Sequence, residues 1–349
     1  MAELSSLARR RFLLGTTALG AGALVVGCTS NEDPDAKANV AGGGENSKPG
    51  KNVTIGFSAP AADHGWMAAM TKNAEAQAEQ FSDVTLSATE GTNDPNQQIA
   101  QVESLINEKV DVLVILPHDG KALTSAGQKA MDAGIPVINL DRVFDTPLAY
   151  RLWLGGDNYR MGVNAGDYIA EQMKAKNVSN PIIAEVSGID SLPLTQDRSK
   201  GFADALRRNG FSVGPRVSAK FTADSGAEQT ANLLQSAPKL DALWNHDDDQ
   251  GIGVMKAIKD SGRDEFVMVG GAGSRDMMDL IKSDNSVIKA TVLYSPSMAS
   301  SAIALARLLG QAKGIGDMAE HEIPASITTY SAVVTKENVD DYLDVGFAS

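Results

Sequence analysis

At 349 residues the chain is long enough to bury a large core, and two domains are expected. It is Gly- and Ala-rich with few aromatics, and its formal charge of -13, without a basic patch or basic helix, argues against nucleic acid or an anionic membrane surface as partner. Its one cysteine, Cys28, excludes internal disulfides and a Cys-based zinc site.

The chain opens with Ala8-Arg9-Arg10-Arg11-Phe12-Leu13, followed by an apolar run over residues 14–26 that is too short to span a membrane and fits the core of a signal peptide. The twin arginines are similar to a Tat-type export signal, with Ala8 where Ser or Thr is usual. Val25-Val26-Gly27-Cys28 resembles a bacterial lipobox and would make Cys28 the lipidated first residue of the mature protein. The expectation is therefore a lipoprotein signal over residues 1–28 and export to the outer face of the cytoplasmic membrane. Residues 29–51 are polar, with Gly42-Gly43-Gly44 and Pro49, and read as a flexible linker.

From residue 53 strands and helices alternate. Strands are expected at residues 53–57, 84–89, 111–116 and 136–140, with helices at 65–81, 95–108 and 121–133. Asp94-Pro95 caps the second helix, with proline at a position where its missing N–H costs nothing. After a turn at Gly155-Gly156-Asp157-Asn158 a second series follows. Its strands are expected at 182–186, 216–221, 242–245, 266–270 and 288–293, and its helices at 160–176, 196–208, 226–235, 251–260 and 275–282. Ser295-Pro296 then caps a long helix to residue 309, and a late strand and short helix (335–343) close the chain. This order specifies an α/β fold of two doubly wound parallel-sheet lobes, with a cleft between them as the favoured place for a small ligand.

Val137-Ile138-Asn139-Leu140 is a short run ending abruptly in Asp141-Arg142. Ligands of parallel α/β sheets bind beyond the carboxyl ends of strands, where an adjacent acid and guanidinium can accept from and donate to one hydroxyl-rich molecule. A surface ion pair is the plainer alternative. Trp66, in a strand-to-helix loop, suits stacking on a ligand's C–H face, whereas Met67 is as well explained by core packing. His64 lacks a nucleophile or orienting partner that would make it a catalytic base. His246-Asp247-Asp248-Asp249 is a poor metal site, because four consecutive side chains diverge and calcium loops need spaced oxygens. Gly270-Gly271-Ala272-Gly273 reads as a tight turn, since Asp276 stands where a dinucleotide loop has its third glycine. No metal or cofactor is expected.

From about residue 53 onward the chain resembles the ribose-binding type of periplasmic sugar-binding proteins of ABC transporters. The resemblance lies in Asn139-Leu140-Asp141-Arg142, Gly156-Asp157-Asn158, Ala165-Gly166-Asp167-Tyr168-Ile169-Ala170, Arg198-Ser199-Lys200-Gly201-Phe202, Asn245-His246-Asp247-Asp248 and Val269-Gly270-Gly271, in order and at family spacing. It implies two lobes with a three-crossing hinge, an N-terminal lobe of residues 52–156 plus 295–329 and a C-terminal lobe of residues 157–294 plus 330–349. It also implies a ligand set of Asp63, His64, Trp66, Met67, Asp141, Arg142, Asn158, Arg198, Phe221, Asp247, Ala272 and Tyr294. In that set Asp141-Arg142 would take adjacent hydroxyls, Arg198 would add the second lobe's guanidinium, and Phe221 would close over the ligand or pack in the core.

Two positions depart from the family pattern. Ala272 stands where an Asp is common and Tyr294 where a Gln is frequent, so a ribose pose would leave hydroxyls unpaired, at about 1–3 kcal/mol each. The expected ligand is a small neutral carbohydrate, namely a tetritol, a pentitol or an unusual pentose. The protein is expected to act as a monomer with an ABC permease as partner and no enzymatic activity. An exported glycosidase using Asp141 and Asp247, or a sensor docking on a membrane receptor, are the alternatives.

Overall fold

A computed structural model of the chain describes residues 45–315 and 323–349, all within one compact unit. The expected signal sequence, Cys28 and most of the expected linker lie outside the described residues.

β1 (Val53–Ser58), β3 (Val112–Ile115) and β4 (Val137–Leu140) are short runs with almost every residue buried, the mark of strands covered on both faces. With β2 (Val84–Ala88), β5 (Leu152–Gly156) and β11 (Ser326–Thr329) they form a sheet in the order β11-β5-β4-β3-β1-β2, parallel throughout. Successive side chains of β3 go to opposite faces. Val112 and Val114 join a core with α1 (Gly65–Glu79) and α9 (Met298–Gly310), while Leu113 and Ile115 join one with α2 (Pro95–Asn107) and α3 (Gly120–Asp132).

The second sheet comprises β6 (Ile183–Ser187), β7 (Val213–Ser218), β8 (Ala242–Asn245), β9 (Val267–Ala272), β10 (Ile288–Leu293) and β12 (Val333–Thr335). Its order is β12-β10-β9-β8-β6-β7, and only β12 runs antiparallel to its neighbour. α4 (Asn158–Ala175) and α5 (Pro193–Arg208) cover one face; α6 (Ala223–Ser236), α7 (Asp248–Ser261) and α8 (Arg275–Ser283) cover the other. The chain passes between the sheets three times: from β5 to α4, from β10 to α9, and from β11 to β12.

Several elements differ from the sequence reading: β11 is not among the expected strands, α5 and α6 each start three residues early, and β5, β7 and α7 differ for identifiable reasons. β5 was hidden because its last residues, Gly155 and Gly156, look like a turn. They are strand residues, and a Cβ at Gly156 would lie 2.1 Å from the ring of Tyr294. β7 begins before Pro215, a residue tolerated because β7 is an edge strand. α7 starts at Asp248, three residues early, since acids in a first helical turn face the positive end of the helix dipole.

The late-returning α9 is anchored to its sheet by a buried ion pair. Arg307 donates from Nε and Nη2 to the two carboxylate oxygens of Asp83, each at 2.6 Å, and its remaining donors bond the carbonyls of Asn46 and Lys48. These bonds hold the Asp83 carboxyl far below the ordinary carboxylate range.

Candidate functional site

The strand-to-helix loops of both sheets converge on one small cavity between the lobes. The first lobe supplies His64, Trp66, Asp141 and Arg142; the second supplies Arg198, Phe221, Asp247 and Ala272, with Leu194 and the crossover residue Tyr294 completing the wall. The space open to the centres of water-sized atoms is about 30 Å³. A larger hollow of about 420 Å³ adjoins it, sharing Asp141, Arg142 and Leu194 and reaching Asn158 and Trp153.

Three wall residues hold left-handed backbone without being glycine: Asp141 (φ 63°), Phe221 (φ 62°) and Ala272 (φ 80°). Such a conformation costs about 1–3 kcal/mol apiece and persists only where the surroundings enforce it. At Asp141 the enforcement is visible. Its N–H donates to the carbonyl of Leu154 at 2.8 Å, and its carbonyl accepts from Trp153 Nε1 at 3.0 Å. The turn aims the Asp141 carboxylate at the crossover, where Oδ1 accepts from the Tyr294 hydroxyl. At Phe221 the N–H donates to Gln250 Oε1 (3.2 Å), and the ring lies over Gly188, where a Cβ would be 2.0 Å away.

Arg142 reaches back to the carbonyl of His118 through Nη1 (2.6 Å), while its buried Nε has no hydrogen-bond partner among the described residues. Burial lowers its pKa. Arg198, on the facing lobe, is 3% exposed. It donates from Nε to Asn158 Oδ1 (2.8 Å) and from Nη1 to the His246 carbonyl (3.1 Å), and its guanidinium lies 4.6 Å from the centre of the Tyr294 ring. Behind it, His246 Nε2 meets Glu185 Oε1 at 2.8 Å; burial lowers the imidazole's pKa. The buried network thus fixes the carbonyl that orients Arg198.

The three consecutive acids do diverge. Asp247 caps its own helix, accepting from the N–H groups of Asp249 and Gln250, and burial followed by its acidic neighbours pushes its carboxyl well up. Asp248 turns inward to the N–H groups of Gly271, Gly273 and Ser274 and the Thr291 hydroxyl, and burial pushes it up to about 7 despite these donors. Asp249 crosses to the other lobe and accepts from Gly65 N (3.1 Å) and Trp66 N (2.8 Å). It thereby caps α1, whose own N-cap residue His64 makes no side-chain capping bond. Sequence reasoning did not single out Asp249; the only available signal was its place in the acidic run.

Of the residues expected at the site, three lie off the small cavity. Asp63 is exposed, accepting from His64 and Asn93. Met67 is 1% exposed in the first-lobe core and borders a neighbouring hollow with His118. Asn158 lines the larger hollow and holds Arg198 and Tyr294 in place. Trp66 lines the cavity with its indole tilted 40° to Tyr294, and its N–H is spent on the Tyr294 carbonyl at 2.9 Å. Leu194 is the apolar wall residue that sequence did not flag.

Residues 55–314 match the family described as the periplasmic binding protein domain. The chain is similar to the ribose import binding protein RbsB of Bacillus subtilis, at 29% identity over 253 residues, covering 72% of this chain and 80% of the other. It is similar to the xylitol-binding protein of Mycolicibacterium smegmatis, at 26% over 252 residues, covering 71% and 68%. Among solved structures it is similar to an ABC transporter solute binding protein from Mycobacterium smegmatis with bound glycerol. The TM-score there is 0.75 at 25% identity, covering 85% of this chain and 99% of the other.

Proposed function

The chain belongs to the periplasmic binding protein family, and we propose that its interlobe cavity takes a tetritol, pentitol or pentose for delivery to the permease of a carbohydrate ABC importer. Its place is extracytoplasmic, and it is a transport component without enzymatic activity. The glycosidase and sensor alternatives are therefore set aside.

The observation that carries the reading is the convergence of unlike groups from two lobes on one small space. Asp141 and Arg142 approach from one side, Arg198 and Asp247 from the other, and Trp66 and Phe221 supply aromatic walls. A neutral polyol needs such a setting, with donors and acceptors for each hydroxyl and flat apolar surface for the carbon backbone. The unpartnered Nε of Arg142 is a donor that an incoming hydroxyl would satisfy. The lobes, taken as residues 52–156 plus 295–329 and 157–294 plus 330–349, hinge at the three crossings. Asp249 bonds the N-terminus of α1 across the seam, contacts that parting of the lobes would break. A Tat-type signal over residues 1–28 and a lipid on Cys28 would tether a monomer to the membrane through the 29–51 linker.

A thermal-shift panel of neutral C3–C6 sugars and sugar alcohols tests this. A ligand at a hundred times its Kd adds about 2.7 kcal/mol, which for a chain of this size is a rise of about 5 °C in Tm. A panel in which no neutral polyol or sugar moves Tm contradicts the proposal.

A further inference from the structure

Tyr294 stands at the second crossover, between β10 and α9, and its ring is 3% exposed. A phenol has one proton to donate and two lone pairs. Here all three are committed: the hydroxyl donates to Asp141 Oδ1 and accepts from Asn158 Nδ2 (3.2 Å) and Gly156 N (3.3 Å). Asn158 is in turn committed, with Oδ1 bonded to Arg198 and Nδ2 shared between Tyr294 and the Gly156 carbonyl. Half of the Asp141 carboxylate and one N–H of the Asn158 amide, the rest of which is held by Arg198 and Gly156, are thus engaged by a hydroxyl that belongs to the chain. That hydroxyl bonds them as a sugar hydroxyl would.

We propose that Tyr294 is a specificity-determining residue that occupies, from within the chain, the place of a ligand hydroxyl, so that the cleft selects neutral polyols of three or four carbons over pentoses and hexoses. This rests on the small cavity being the ligand site. The groups left to a ligand are the second oxygens of Asp141 and Asp247 and the spare N–H groups of Arg142 and Arg198, enough for three or four hydroxyls. The space agrees. About 30 Å³ holds on the order of two or three water oxygens at ~10–15 Å³ each. Bonded heavy atoms sit ~1.5 Å apart where hydrogen-bonded oxygens sit ~2.8 Å apart, so the same space takes roughly twice as many atoms of one short chain, about four to six, nearer to a three- or four-carbon polyol than to a five-carbon one. Gly156 keeps the arrangement tight: the ring of Tyr294 rests on its Cα, and no side chain fits between them.

Titration calorimetry on the purified protein with glycerol, erythritol, threitol, xylitol and D-ribose tests this, using wild type, Tyr294→Ala, Tyr294→Gln and Arg198→Ala. Wild type is expected to bind a three- or four-carbon polyol at least tenfold more tightly than xylitol or ribose. Tyr294→Ala, which vacates the ring and frees Asp141 and Asn158, is expected to move that ratio at least tenfold toward the five-carbon compounds. Tyr294→Gln, which keeps a polar partner for Asp141, is expected to move it the same way and serves if the alanine variant does not fold. An unchanged ratio in a folded Tyr294 variant, or a wild type that prefers xylitol or ribose, overturns the proposal. Arg198→Ala separates the two claims. If it loses binding at least tenfold for every compound while the Tyr294 ratio stays fixed, the site stands and the role of Tyr294 falls. If it binds all of them like wild type, the site itself is wrong.

Discussion

Arg198 shows how one side chain makes the site what it is. Its guanidinium bonds Asn158 on the first crossover and the His246 carbonyl in its own lobe, and lies over the Tyr294 ring on the second crossover. Lysine would keep the charge but lose the planar fork that serves two acceptors and stacks on an aromatic face. Arg198→Lys is therefore expected to weaken ligand affinity by tenfold or more in calorimetry; full affinity would show that the geometry of the fork is not used. The place of this arginine at the cavity was legible in Arg198-Ser199-Lys200-Gly201-Phe202, as was that of Asp141-Arg142 at the end of a buried strand. The partnership of Tyr294 with Asp141 was not, because the two are 153 positions apart and meet only through the tertiary fold. The left-handed turns at Asp141, Phe221 and Ala272 were hidden for another reason: sequence flags such backbone through glycine, and none of these is one.

At the scale of elements, alternation and capping were readable because they are local. Asp94-Pro95 starts α2, with the Asp94 carboxylate accepting from Asn96 N at 2.9 Å. β5 escaped because its glycines serve packing against Tyr294 rather than a turn. The cap of α1 escaped because Asp249 comes from another lobe. The attachment of α9 to its sheet gives a prediction with a definite sign. The folded-state pKa of Asp83 lies below its unfolded value of about 3.9, so its stabilisation is complete above that value and lost as pH falls through the folded one. Arg307→Ala would leave Asp83 buried and unpaired, at a cost of about 3–5 kcal/mol near neutral pH. Denaturant unfolding at pH 7 and below pH 3 checks this: the gap between wild type and variant should shrink in acid, and a gap independent of pH would contradict it.

Across the whole molecule, two parallel sheets end their strands at a common seam, and the chain crosses it three times. Because one lobe recovers a late segment and the other takes the last strand, neither sheet is completed by a continuous stretch of chain. Asp249 bonds the N-terminus of α1 across that seam, beside the cavity, so under the proposed hinge motion ligand capture would favour the form in which this bond is made. The most direct test is a crystal structure of the protein grown with erythritol or xylitol. The polyol should lie between the lobes, its hydroxyls within about 3 Å of Arg142, Arg198 and Asp247 and its carbon chain against Trp66 or Phe221. A saturating polyol bound elsewhere, with this cavity left to water, would contradict the account.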